Sequence, residues 1–194
     1  MWDGSGRSGV RRRRTLSAVN LYLRMLWLTL VHALRLRRRT SLRDAVETPF
    51  RVWPTDLDVL GHMNNGRYLT IMDLARVDLM MRASFWRTLR ERGWYPVVAG
   101  QTITYRRSLL PLRRFVVRTE VLGTEGEWIY LRQTFLSGGR LSAEAVVRAR
   151  FLKRSGGSVT VAEMYEAAGL PGRELEVPAW VVRWTQDTRP PREA

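Results

Sequence analysis

The spacing of apolar side chains along the chain changes from a helical period to an alternating one. Between residues 65 and 82 apolar positions recur at helical spacing, which predicts one long helix with a single apolar face. Residues 84–92 have the pattern of a short amphipathic helix, and Gly93 can end it. The apolar face of the long helix consists of Tyr68, Ile71, Met72, Ala75 and Leu79.

After Gly93 the apolar and polar positions alternate, and short turns such as residues 137–139 separate the runs. This pattern predicts an antiparallel meander whose strands occupy residues 95–107, 115–122, 128–136 and 141–153. Residues 50–53 predict a first strand that Pro54 ends, and residues 161–168 predict a last helix. A single long apolar helix needs cover, which a strongly curved antiparallel sheet wrapped around it supplies. The predicted fold class is therefore α+β.

The distribution of charge divides the 194 residues into three parts. Residues 1–43 contain eleven arginines and one acid, so they contribute +10 of the net charge of +15. Residues 44–170 form the predicted domain. The tail, residues 171–194, is rich in proline and charge, and we expect it to be loosely ordered apart from Trp180 and Trp184.

The basic N-terminal arm contains an amphipathic helical pattern over residues 16–36, with arginine runs at 11–14 and 37–39. This pattern suits a helix that lies in a membrane surface, and the alternative is packing on the body or on a partner subunit. We expect no nucleic-acid partner, because the arm has no recognition motif. The predicted location is cytoplasmic, peripheral on the inner face of the membrane. On a helical wheel a polar stripe lies opposite the apolar side: Ser17, Asn20, Arg24 and Arg35 against Val19, Tyr22, Leu23, Leu26, Trp27, Leu30 and Leu34.

Composition excludes several kinds of chemistry. The chain has no cysteine, which excludes disulfides, thiolate metal sites and cysteine nucleophiles. His32 and His62 are the only two histidines and lie far apart in the sequence, which excludes a histidine-rich metal cluster.

A ten-residue motif precedes the long helix and carries a family resemblance. Its sequence is Asp56-Leu-Asp58-Val-Leu-Gly61-His62-Met-Asn64-Asn65, and Tyr68 follows on the helix. Together with the order of elements over residues 45–155, it resembles the hotdog-fold thioesterases of the 4-hydroxybenzoyl-CoA thioesterase family. It is most similar to the branch of long-chain acyl-CoA thioesterases and membrane-associated thioesterase superfamily members.

This resemblance implies a homodimer, or a homotetramer built as a dimer of dimers, that binds acyl-CoA at the subunit boundary. It also implies that Asp58 is the catalytic carboxylate and that the backbone at Asn65 activates the thioester carbonyl. It leaves open whether Asp58 attacks directly or activates water, which acyl group is natural, and whether the carrier is CoA or acyl carrier protein.

The residues themselves are compatible with this chemistry. Thioester hydrolysis needs a base or nucleophile and donors that hold negative charge on the carbonyl oxygen. Asp58 can supply the first, and free amides at the helix start, near residues 64–66, the second. Gly61 allows the loop to approach a ligand closely. No metal or cofactor is required.

The other polar residues of this region have more modest predicted roles. We expect Asp56 and His62 to order the loop, Asn64 and Asn65 to cap the helix, and Tyr68 to bind substrate or help to order the loop. Asp73 is the reserve catalytic candidate, because another branch of hotdog thioesterases takes its acid from the helix. Two alternative functions remain: a non-catalytic, membrane-associated acyl or lipid binder, and a hotdog enoyl hydratase or dehydratase that uses His62.

Overall fold

The elements of the chain follow the predicted order. The computed structural model describes residues 22–30, 34, 39–170 and 174–188. Residues 22–30 are helical (α1). The remaining elements are β1 (Val46–Arg51), a 3₁₀ turn (Pro54–Asp56), α2 (Asn65–Arg82), α3 (Phe85–Arg92), β2 (Trp94–Tyr105), β3 (Arg114–Glu125), β4 (Trp128–Ser137), β5 (Arg140–Lys153), α4 (Val161–Ala167) and α5 (Ala179–Asp187).

The five strands form one antiparallel sheet in the order β1-β3-β4-β5-β2. Strands β3, β4 and β5 form a meander, but the predicted meander of four strands is wrong in its first strand: β2 pairs with β5 at the opposite edge from β1 and does not neighbour β3. Strand β1 begins at Val46, earlier than predicted, and ends before Trp53. The reason for the early end is that the Trp53 amide donates to the Asp56 carboxylate (2.8 Å) instead of to a strand.

Helix α2 lies against the concave face of the sheet and has the bounds that the sequence predicted. All five residues of its predicted apolar face are buried. They pack in one cluster with buried side chains of three strands, which include Val117, Phe135, Ala145 and Val147. Burial of each large apolar side chain contributes about 1.5–3 kcal/mol. The predicted α+β hotdog fold, a curved antiparallel sheet around a long helix, is confirmed.

The C-terminal segment differs from the prediction over its described part. Residues 174–188 include α5, whose Val181 is fully buried on the other face of the sheet. There Val181 packs with Tyr130 and Val146, and Val177 and Trp184 lie beside them. Trp180, by contrast, is about half exposed. The segment is ordered because the sheet offers an apolar outer face that the sequence of the tail alone does not reveal.

Residues 22–30 of α1 lie on the body with Arg24 and Leu28 directed inward. Leu28 is its one buried residue among 22–30, and the Arg24 guanidinium also points to the body. The opposite side carries exposed apolar side chains: Tyr22, Leu23, Leu26, Trp27, Leu30 and, beyond the helix, Leu34. The rest of the predicted helix, residues 16–21, 31–33 and 35–36, lies outside the described residues. Within the part of the chain that is described, no helix is long and apolar enough to cross a membrane.

Candidate active site

The segment between the 3₁₀ turn and α2 folds back on itself as a tight hairpin-like loop. Leu57 and Met63 form an antiparallel bridge. Inside it, the Asp58 amide donates to the His62 carbonyl at 2.8 Å, and the Gly61 amide donates to the Asp58 carbonyl at 3.2 Å. Gly61 has a φ of +76°, a conformation that glycine adopts without steric cost. The turn itself therefore calls for glycine at this position.

The Asp58 side chain is half-buried and held by the backbone of its own loop. Its Oδ1 accepts hydrogen bonds from the amides of Leu60 (2.9 Å) and His62 (3.2 Å). No described residue donates to the second oxygen, Oδ2. The carboxylate is thus fixed in orientation through one oxygen, while the other remains available to a substrate or to water.

The first turn of α2 presents backbone donors. Asn64 is the N-cap: its Oδ1 accepts from the Gly66 amide at 2.9 Å, and its carbonyl accepts from the Arg67 amide at 2.8 Å. The Asn65 amide has no acceptor among the described residues. A helix N-terminus carries a partial positive charge, so this amide is suited to hold an oxyanion.

Asp56 connects this loop to its surroundings. Its side chain is 1% exposed, and Oδ2 accepts from the Trp53 amide (2.8 Å) and from Arg24 Nη2 (2.5 Å). Its carbonyl accepts from the Asn64 amide at 2.8 Å. The Arg67 side chain approaches Oδ1 to within 3.6 Å. Asp56 therefore joins both ends of the loop to α1.

Tyr68 and Asp73 lie further along α2. The Tyr68 ring is buried and packs edge-on against Tyr105, with ring centroids 5.0 Å apart, and against Phe135 at 4.9 Å. Burial raises the pKa of Tyr68 above its ordinary value, against a hydrogen bond with the Leu109 backbone that lowers it. Asp73 is 67% exposed and forms an ion pair with Arg76. It lies about 12 Å along the helix axis from Asn65, so the protomer does not bring it to the Asp58 loop.

The structure thus brings together Asp56, Asp58, Gly61, His62, Asn64 and Asn65, and their roles remain predictions. The sequence did not reveal two further contributors, Arg24 and Leu109. The Leu109 carbonyl accepts from the Met63 amide at 3.0 Å and so holds the end of the loop that precedes α2. Both contacts span long stretches of sequence, and no local pattern signals them.

An apolar cavity of about 160 Å³ lies between α2 and the sheet. A cavity of about 150 Å³ can hold a benzene molecule. No residue of the Asp58 loop lines it. Its walls come from α2 from Asp73 onward, from β2, β3, β4 and β5, from α4 and from residues 42–43, and they include Met80, Val97, Ile129, Phe151 and Met164.

A metal site is not apparent in the described part of the chain. Residues 22–30, 34, 39–170 and 174–188 contain no group of three or more His, Asp or Glu side chains that could hold a metal ion.

Comparison with known proteins places the chain in a family. A model of the thioesterase-like superfamily matches residues 52–185, more than half of the chain. Protein THEM6 of Danio rerio is 34% identical over 139 residues, which covers 69% of this chain and 67% of that protein. Protein THEM6 of Xenopus laevis is 41% identical over 86 residues, which covers 44% of this chain and only 42% of that protein.

Solved structures are similar in fold. A probable thioesterase from Escherichia coli, YbaW, aligns with a TM-score of 0.59 at 22% identity, over 62% of this chain and 94% of that chain. A 4-hydroxybenzoyl CoA thioesterase aligns with a TM-score of 0.58 at 14% identity, over 64% of this chain and 98% of that chain. The sequence match and these shared folds lead to one conclusion: the chain belongs to the thioesterase-like superfamily and has the hotdog fold.

Proposed function

We propose that the protein is an acyl-CoA thioesterase that hydrolyses a fatty acyl-CoA to the free acid and CoA. The observation that carries this proposal is the arrangement at the start of α2. Asp58 has one carboxylate oxygen fixed by two loop amides and the other open. The Asn65 amide, without an acceptor in the described structure, lies at the positive end of the helix.

These groups can perform the reaction in one of two ways. In both, the thioester carbonyl oxygen accepts a hydrogen bond from the Asn65 amide, which stabilises the tetrahedral oxyanion. In the first, Asp58 takes a proton from water while the water oxygen attacks the carbonyl carbon. In the second, Oδ2 attacks directly and water then hydrolyses the mixed anhydride. The C–S bond breaks in either case, and the CoA sulfur leaves and gains a proton.

Two observations support an apolar and extended acyl group. The cavity beneath α2 is lined mostly by apolar side chains. An acyl chain that starts at the Asn65 amide has to run along α2 for roughly 12 Å to reach the cavity walls, which begin at Asp73. A CoA ester as the substrate is supported by the related fold that was solved with 4-hydroxybenzoyl CoA.

Release of free thiol from acetyl-, octanoyl- and palmitoyl-CoA tests the proposal. We expect turnover of the longer esters and a loss of at least about 100-fold in kcat in Asp58→Asn, the range of general base catalysis. Glu91→Gln removes the same charge from an exposed helical position and should keep kcat within about 3-fold. Absence of turnover on all three esters would contradict the proposal. Tight palmitoyl-CoA binding without hydrolysis, unchanged in Asp58→Asn, would favour a non-catalytic acyl binder instead.

We further propose that the protein is a homodimer that pairs through β2. This strand has 12 residues, pairs with β5 on one side only, and ends the sheet. A long edge strand is a template for pairing with another chain, and exposed Tyr95, Val98 and Tyr105 lie along it. Sedimentation equilibrium should give about twice the chain mass of 22.6 kDa. A mass four times that of the chain would favour the tetramer, and a monomer would contradict the proposal.

Finally, we propose that α1 binds an anionic membrane surface on the cytoplasmic side. Its exposed apolar side chains lie between the arginine runs at 11–14 and 37–39, a combination that suits interfacial binding to acidic lipids. Trp27 on α1 is 62% exposed and Trp180 on α5 is 47% exposed, so Trp180 is a suitable control position for a substitution at Trp27. Trp27→Ser should weaken binding to phosphatidylglycerol vesicles, and Trp180→Ser should not. Equal partitioning of both variants and the wild type would contradict the proposal.

A further inference from the structure

Arg24 makes contacts that cross from α1 to the candidate site. Its Nη2 donates to the Arg51 carbonyl at 3.0 Å and to Asp56 Oδ2 at 2.5 Å. The two side chains are 11% and 1% exposed. Burial lowers the pKa of Arg24, and the charge of Asp56 opposes that effect. A charged pair so far removed from water is costly to separate, because either partner alone would be left buried and uncompensated.

Asp56 transmits this contact to both ends of the Asp58 loop. The same oxygen, Oδ2, also accepts from the Trp53 amide, where β1 has just ended. The Asp56 carbonyl accepts from the Asn64 amide, one residue before Asn65. A displacement of Asp56 would therefore shift the base of the loop and the first turn of α2 together.

The described residues of α1, 22–30, bury few side chains against the body. Within residues 22–30, Leu28 is the single buried residue, and apolar side chains on the opposite side face solvent. Leu28 belongs to neither of the two core clusters, so movement of residues 22–30 disturbs little of the core. The contact through Arg24 reaches the loop.

We propose that Arg24 is a positioning residue that couples the placement of α1 to the geometry of the Asp58 loop. With α1 docked, Arg24 holds Asp56, and Asp56 holds the loop and the Asn65 amide in register. When α1 moves away, the loop loosens and turnover falls. This coupling rests on the proposed thioesterase function and adds to it a means by which the N-terminal helix regulates the site.

Turnover by the full chain tests the coupling. Arg24→Gln should lower kcat by about 10-fold to 100-fold, because misplacement of reacting groups by about 1 Å has an effect of that size, while KM should change by less than about 3-fold. Arg24→Lys should recover most of kcat, because one ammonium can donate to the same two oxygens. The matched control is Arg87→Gln, which removes an exposed helical arginine paired with Glu91 and should leave kcat unchanged.

Hydrogen exchange of the backbone amides gives a readout that does not depend on activity. In Arg24→Gln the amides of residues 57–66 should exchange faster, whereas those of β4 and β5 should keep their wild-type rates. Wild-type exchange and wild-type kcat in Arg24→Gln would overturn the proposal. Faster exchange throughout the chain would overturn it too, because Arg24 would then support the whole fold. If the wild type hydrolyses no acyl-CoA, the proposed function fails, and the exchange of residues 57–66 alone still decides the coupling.

Discussion

Arg76 on α2 donates a hydrogen bond of 2.6 Å to the side-chain oxygen of Gln133 on β4, inside the core. The amide nitrogen of the same Gln133 donates to the Met72 carbonyl and to the Thr119 hydroxyl, each at 3.0 Å. Gln133 is fully buried, yet both of its polar ends are bonded, so its burial leaves no unsatisfied group. Gln133 therefore attaches α2 to the middle of the sheet. The first turn of the same helix presents the Asn65 amide.

Gln133→Leu should therefore destabilise the fold strongly, although the two side chains are similar in size. It leaves Arg76 without its oxygen acceptor and Thr119 without its donor inside the core, and unsatisfied buried groups cost about 1–3 kcal/mol each. We expect the free energy of unfolding to fall by about 2–4 kcal/mol, measured by urea denaturation. Thr134→Ala, at the neighbouring half-buried position, serves as control and should change it by less than about 0.5 kcal/mol. Equal midpoints for the two variants would show that the buried network contributes little.

The ion pair between Lys153 and Glu163 should produce a pH-dependent contribution to stability. Lys153 Nζ lies 2.7 Å from Glu163 Oε1, and Glu163 also closes a capping box with Thr160. The hydrogen bond from Lys153 and then that from the Thr160 backbone lower the pKa of Glu163 from 4.5 to about 2. A carboxylate with a depressed pKa stabilises the fold above its unfolded pKa, and this stabilisation disappears as the pH falls towards the folded value.

Glu163→Gln isolates this effect, because glutamine can keep the capping box and lacks the charge. We expect the variant to be less stable at pH 7 by about 1 kcal/mol or less, since the pair is partly exposed to solvent. Urea denaturation should show this difference shrinking between pH 4.5 and pH 2. Glu91→Gln removes the partner of Arg87 in a more exposed pair and is the control. A difference between wild type and Glu163→Gln that stays constant with pH would contradict the prediction.

Much of the fold could be predicted from the sequence because its elements are long and periodic. The apolar face of α2 repeats over 18 residues and fixes both bounds. Strands β3, β4 and β5 alternate strongly and are separated by turn residues, so their order and direction follow, whereas the pairing of β2 with β5 is a long-range contact that no local signal indicates. These signals are local, and tertiary packing agrees with them.

Segments that adopt their structure only by packing on a distant part of the chain could not be predicted. Strand β1 contains Pro49, which a central strand would not tolerate, but β1 is an edge strand, where proline is accepted. Helix α5 has only a short apolar face, and its order depends on the outer face of the sheet. For the same reason the ion pair of Arg24 and Asp56, 32 residues apart, has no signal in the sequence.

The candidate site was predictable in part. Asp58 and the start of α2 were identified from the motif and its resemblance, and the structure shows the loop amides that hold the carboxylate. The predicted helix already places Asp73 roughly two turns from Asn65, but the sequence alone could not reveal its ion pair with Arg76.

The packing of the C-terminal segment on β3 depends on Gly123. A Cβ at this position would lie 2.7 Å from the Val177 Cα and 3.0 Å from the Glu176 carbonyl oxygen, so the obstacle is backbone. Beside it, the Thr124 amide donates to the Leu175 carbonyl at 2.8 Å, and this bond depends on the same close approach.

Gly123→Ala should therefore displace residues 174–188 from the sheet. Overpacking of this kind costs about 1–3 kcal/mol, and we expect a lower urea midpoint together with faster proteolysis within the segment. Gly100→Ala is the matched control, because it also adds a methyl group to a strand beside α5 but at 3.9 Å from Trp184, an ordinary contact. That variant should be as stable as the wild type or slightly more so. If both variants unfolded at the same urea concentration and the segment kept its resistance to protease in each, Gly123 would not be the residue that admits the C-terminal segment to the sheet.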